Sequence, residues 1–178
     1  KYGIELLLGT ELNIMNARGE IDLPDSVLER LDIAIASIHM PCFKDERTID
    51  NVTAAYEKVM EHPYVDIIGH PDDGRFPVDM KRLVKKAKET GTLLEVNNSS
   101  LRPEGFRENT KENCLEMVKE CKAQGVMIVL GSDSHVDADI AEYPYAEEIL
   151  RETDFPEELV ANVSMEKLKA CIKHGKKL

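Results

Sequence analysis

Residues 126–135 read VMIVLGSDSH. Five apolar residues in succession, three of them β-branched, read as a strand buried on both faces, the kind found in parallel sheets. The run stops abruptly at Gly131-Ser132-Asp133-Ser134-His135. Alternate residues of an extended segment point the same way, so Asp133 and His135 bring a carboxylate and an imidazole to one side. In parallel α/β proteins, chemistry is placed at such carboxyl ends of strands. Taken alone, the stretch is equally well a polar turn after a core strand, and the rest of the chain decides between the two.

Four earlier apolar runs have the same form. Ile4–Leu8 continues through Gly9 and Thr10 to Glu11, Ile33–Ile38 ends in His39-Met40-Pro41, Val65–Ile68 ends in Gly69-His70-Pro71-Asp72, and Leu93–Val96 ends in Asn97-Asn98-Ser99-Ser100. Helical patterns separate them, at about 49–61, 78–90 and 111–124, and two more follow at 141–151 and 165–174. Gly91 and Gly125 are C-terminal stops. Pro24-Asp25-Ser26 starts a short helix with Asp25 as its cap, and Ser164 caps the last one. Asn16–Gly19 reads as a hairpin tip, and Val160–Val163 as a short final strand. Strand and helix alternate without a composition break or low-complexity linker. This predicts one α/β domain built on a parallel sheet with right-handed crossovers, and pattern alone does not separate an open sheet from a closed barrel.

In a parallel sheet all five run ends lie on one rim. That rim collects Glu11, His39, His70, Asn97 with Asn98, and Asp133 with His135. One strand-end histidine is unremarkable, but three histidines with a glutamate and an aspartate form a metal-ligand set. A His, Asp and Glu set without cysteine suits zinc, manganese or iron in a catalytic site, where carboxylates can bridge metals. Cys42, three residues beyond His39 but past Pro41, is a poor ligand candidate. His62 at a helix end before proline and His174 in a basic tail read as structural or solvated.

Composition narrows the partners. A net charge of −11 over 178 residues argues against a nucleic-acid binder, which needs a surplus of lysine and arginine on one face. The four cysteines show neither C-x-x-C nor zinc-finger spacing and read as free thiols in a reducing cytoplasm. No signal peptide or transmembrane run is expected, and no membrane partner.

The segments GTELNI (9–14), ASIHMP (36–41), IIGHPD (67–72), LEVNNSS (94–100) and GSDSH (131–135), in this order, resemble the PHP (polymerase and histidinol phosphatase) superfamily of metal-dependent phosphoesterases, and within it the YcdX-like phosphatases. The resemblance spans nearly the whole chain. It implies a distorted (β/α)7 TIM-like barrel with up to three divalent metals at its carboxyl rim, zinc first among the candidates. It implies hydrolysis of phosphate monoesters through a metal-bridging hydroxide, with no nucleophilic side chain. By position, Glu11 would bridge two metals, His39 and His70 would complete the site of one, Asp133 would hold the second, and His135 would belong to the third. Arg102 or Arg107, in the loop after LEVNNSS, would clamp the phosphate of a small phosphorylated substrate, or remain solvated.

The family also opens with an H-x-H strand and a later D-H pair, and neither is in this sequence. The resemblance therefore makes residues 1–178 the C-terminal portion of a single PHP domain, with five or six strands, lacking the family's first two. On this reading the chain alone takes up at most one tightly held metal, at Glu11, His39 and His70, and is inactive without the rest of the fold. The alternatives within the same superfamily are a histidinol-phosphate phosphatase and a PHP module attached to a DNA polymerase.

Overall fold

A computed structural model describes residues 3–173. Its frame is a parallel sheet of five strands in sequential order: β1 (Gly9–Asn13), β2 (Ile33–Ser37), β3 (Ile67–Ile68), β4 (Leu93–Asn97) and β5 (Ile128–Gly131). The crossovers carry α1 (Asp25–Leu28), α2 (Ile49–Val59), α3 (Met80–Thr90) and α4 (Thr110–Gln124), and α5 (Pro144–Glu152) and α6 (Met165–Cys171) follow β5. The helix ends follow local chemistry. Thr48, Asp79 and Ser164 accept backbone N–H groups at the starts of α2, α3 and α6, while Gly91 and Gly125 end α3 and α4 in the left-handed conformation. No described helix is long and apolar enough to cross a membrane.

The two faces of the sheet differ. One presents Leu12, Ala34, Ala36, Ile68, Leu94, Val96 and Ile128 to the helices, where Val52, Val59, Leu83, Val84, Met117 and Val118 bury them in the main core. The other face is apolar near the amino ends of the strands, where Ile33, Ile35, Ile67, Leu93 and Val129 pack with Ala161, Leu168, Cys171 and Ile172. Toward the carboxyl ends, the same alternation brings up Glu11, Asn13, Ser37, Gly69, Glu95, Asn97 and Gly131. The candidate site therefore stands on a small apolar layer.

Several elements depart from the sequence reading. The first strand begins at Gly9, not at Ile4, because its ladder with β2 starts at the Gly9–Ile33 pair. Ile4, Leu6 and Leu8 are exposed. Asp25 is the first residue of α1 and not its cap; Pro24 holds the cap position without a side-chain bond. Val160–Val163 is not a strand. Val160 makes one bridge to Ile128, and Ala161–Val163 turns as a 3-10 helix. The Asn162 amide replaces the missing backbone, accepting from Leu130 N at 3.0 Å and donating to Leu130 O at 2.9 Å. All four cysteines are free thiols. His174, expected to be solvated, lies outside the described residues.

Candidate metal centre

Glu11 sits on β1 at the register of Ile35 on β2, so its side chain leaves the sheet on the face opposite the main core. His39 follows β2 by two residues and His70 follows β3 by two. The staggered strand ends carry the three side chains to one point. Nε2 of His70 is 3.0 Å and Nε2 of His39 is 3.5 Å from the same Glu11 oxygen, Oε1, and the two rings lie 5.1 Å apart. One ligand atom from each residue falls within 4.8 Å of the others, and this is the one such group of three found among the described residues. Two imidazole nitrogens and a carboxylate oxygen match the His2Glu sets that hold catalytic zinc with a position left open, so the donors fit a divalent transition metal.

The electrostatics agree. Hydrogen bonds from His39, when its ring carries both protons, and from His70 hold the Glu11 carboxyl far below its ordinary range, against the opposing effect of burial. Glu11 is therefore an anion at any physiological pH. His70 is buried and adopts φ 31°, a left-handed conformation uncommon for a residue with a Cβ. Its backbone N–H is captured by Glu95 Oε2 at 2.8 Å. Glu95 itself fits only because β5 offers no side chain beneath it: a Cβ on Gly131 would come within 1.9 Å of Glu95 Oε1. Gly69 is as constrained, since its Cβ would meet Ser37 Oγ at 2.3 Å. Burial raises the pKa of Glu95, and the nearby His70 opposes that rise.

Asp133 lies on the same rim but in different company. It too has a positive φ, 49°, and its Oδ2 accepts from both Arg107 terminal nitrogens at 3.4 Å and from Asn97 Nδ2 at 3.3 Å. Arg107 is almost wholly buried, and it also donates to Ser100 Oγ at 2.7 Å and lies 4.0 Å from Asp73. Arg102 instead pairs with Asp139 at 2.8 Å near the surface. His135 projects outward, with Nδ1 3.1 Å from the backbone oxygen of Asp133, and stands outside the three-residue cluster. The Asn97-Asn98 pair divides its work. Asn97 faces the site, while Asn98 Oδ1 accepts from Tyr145 N at 2.9 Å and Ala146 N at 3.1 Å to cap α5. His62 bonds Asp25 at 3.2 Å and lies at a tilt beside the Tyr64 ring, outside the cluster.

Three acidic residues were not singled out by sequence. Glu95 was discoverable as the one charge inside an apolar strand, two residues before Asn97 and hence on its face. Asp72 and Asp73 follow His70-Pro71 and are both buried. Arg75, backed by Arg107, holds Asp73 below its ordinary pKa against the effect of burial. Both Asp72 side-chain oxygens lack a hydrogen-bond partner among the described residues, and burial pushes this carboxyl up to about 7 although Arg107 opposes the shift. Beside Arg107, a cavity of about 290 Å3 opens, lined by Ser99, Ser100, Arg102 and Phe106.

Comparison with known proteins found no matching family model. The chain is 45% identical over 177 residues to a probable phosphatase of Clostridium novyi, covering 99% of this chain and 71% of that protein. It is 42% identical over 175 residues to a probable phosphatase of Acetivibrio thermocellus, covering 98% and 71%. Among solved structures, histidinol phosphate phosphatase from Lactococcus lactis, in complex with zinc, L-histidinol and phosphate, superposes with a TM-score of 0.51 at 15% identity. That likeness is one of fold, and it takes in 74% of this chain and 61% of the solved one.

Proposed function

The chain belongs to the family of bacterial probable phosphatases to which these relatives belong, and on that premise we propose that it is a metal-dependent phosphoesterase acting on small phosphate monoesters. The convergence of Glu11, His39 and His70 at the carboxyl rim of a parallel sheet carries the reading. A divalent transition metal bound there, zinc first and manganese or iron as alternatives, supplies Lewis acidity to a phosphoryl oxygen and lowers the pKa of water toward neutrality. The chain's own residues do the rest. Glu11 contributes a fixed negative charge, and His39 and His70 aim their Nε2 atoms at it. Glu95 restrains the His70 backbone so that its ring does not drift.

Asp133 and His135 are assigned to further metal positions on the same rim, and a closed barrel of the PHP type is the architecture proposed for the whole fold. Arg107 is the preferred phosphate clamp over Arg102, since its guanidinium is buried beside Asp133 and opens on the 290 Å3 cavity. The zinc held by the solved neighbour supports zinc as the first metal to try.

The test is hydrolysis of p-nitrophenyl phosphate and of histidinol phosphate by the whole protein, stripped with a chelator and reloaded with zinc or manganese. Activity is expected to vanish on stripping and return with metal. Asp133→Asn should lower turnover by about 100-fold with far-UV circular dichroism unchanged. Full turnover without metal would overturn the reading.

A further inference from the structure

The hairpin that closes at Asn16–Gly19, as its sequence indicates, sets the side-chain geometry behind the metal centre. Ile14 bridges Ile21 antiparallel, Met15 N donates to Glu20 O at 2.7 Å, and the tip closes through Gly19 N to Asn16 O at 3.0 Å. Gly19 is required there: its φ is +73°, and a Cβ would meet Lys58 Cβ at 2.7 Å. In an antiparallel register that pairs 14 with 21 and 15 with 20, residue 13 stands opposite residue 22. Asp22 accordingly takes hold of Asn13 twice, accepting from its backbone N at 2.9 Å and from its Nδ2 at 2.6 Å. The other end of the same amide, Oδ1, lies 2.8 Å from Nδ1 of His39.

We propose that Asp22 and Asn13 are positioning residues that fix the tautomer of His39 and so preset it as a metal ligand. This rests on the metal-centre reading above. An ionised carboxylate only accepts hydrogen bonds, so the NH2 end of Asn13 must face Asp22. Its carbonyl oxygen then faces His39 and can only accept, so Nδ1 of His39 must carry the hydrogen. A neutral imidazole has one donor and one acceptor nitrogen. Nε2 therefore keeps its lone pair, and it points at Glu11 Oε1 from 3.5 Å. A lone pair facing a carboxylate oxygen is stabilised by a cation between them. His70 has no such chain behind it: its Nδ1 is buried without a hydrogen-bond partner among the described residues. Of the two imidazoles, His39 is the one whose far side is wired.

The test uses the metal-free chain and zinc alone. Nitrogen-15 NMR of the imidazoles at alkaline pH reads the tautomer, and calorimetry reads zinc affinity. In the unsubstituted chain His39 is expected to be protonated on Nδ1. Asp22→Asn lets the Asn13 amide flip, and Asn13→Leu removes the acceptor. Each should mix the tautomers and weaken zinc binding by about tenfold. The exchange Asn13→Asp with Asp22→Asn restores a carboxylate acceptor to His39 and a donor behind it, and should recover both readouts. A proton on Nε2 in the unsubstituted chain, or single variants that change neither readout, would overturn the proposal. Failure of zinc to bind while Nδ1 stays protonated would overturn the metal reading and leave this hydrogen-bond chain standing.

Discussion

The rim of the sheet has two halves built from the same kind of sequence signal, and they are held by different means. Glu11, His39 and His70 come from three adjacent strands whose ladders fix their relative heights, and His70 is 3% exposed. Asp133 and His135 come from the strand end at the edge of the sheet, beyond β5, where the chain leaves the ladder through a residue at φ 49°. There the side chains are placed by partners and not by the sheet. Arg107 neutralises Asp133, and His135 is 86% exposed. In the first half Glu11 is set by backbone pairing and the two histidines, just past their ladders, by Asn13 and Glu95, whereas in the second Asp133 depends on one buried cation. Preorganisation lowers the cost of metal capture, so the first half is where a metal should bind most tightly.

Breaking that buried cation gives the largest expected change. Arg107→Met leaves Asp133 without its counter-charge and Asp73 with Arg75 alone, and should cost about 3 kcal/mol in denaturant unfolding at neutral pH. Zinc affinity at Glu11, His39 and His70 should barely move, because that half does not lean on Arg107. A large fall in zinc affinity would mean the halves are one unit.

Asp72, buried two residues beyond His70, offers a smaller effect with a definite sign. Its folded pKa is raised to about 7, so from about pH 4 to 7 the folded state keeps a proton that the unfolded state has released. Stability carried by this proton is complete below pH 4 and is lost as pH rises through 7. Asp72→Asn removes the slope. Urea midpoints should show it more stable than the original chain at pH 8, by about 2 kcal/mol, and nearly equal at pH 4. The smallest change belongs to His135→Ala, whose stability should stay within about 0.5 kcal/mol because its side chain is mostly in solvent.

Much of this layout was legible in the residues themselves. Apolar runs, each ending in a polar group, mark the rim positions of Glu11, His39 and His70 in the sequence itself. Other features required pairing information that composition does not carry. Ile4–Leu8 is as apolar as any strand, but the ladder with β2 begins only at Gly9. Val160–Val163 has the residues of a strand, yet the Asn162 side chain serves Leu130 in place of a backbone. Glu95 is a charge inside an apolar strand, and its use depends on two glycines, Gly69 and Gly131, that lie beside it only in the folded sheet. Asn13 and Asp22 are nine residues apart and meet through a hairpin register. Strand ends can be read locally, whereas the residues that orient the ligands are fixed by tertiary pairing.

Glu11, His39 and His70 together are proposed to hold a divalent metal. Calorimetric titration of the metal-stripped chain with zinc tests it most directly. The expected result is one tight site per chain, weakened by about 100-fold or more in His70→Ala, which loses one of three protein ligands, and unchanged in His135→Ala. Tight binding that survives His70→Ala and disappears in His135→Ala would contradict it.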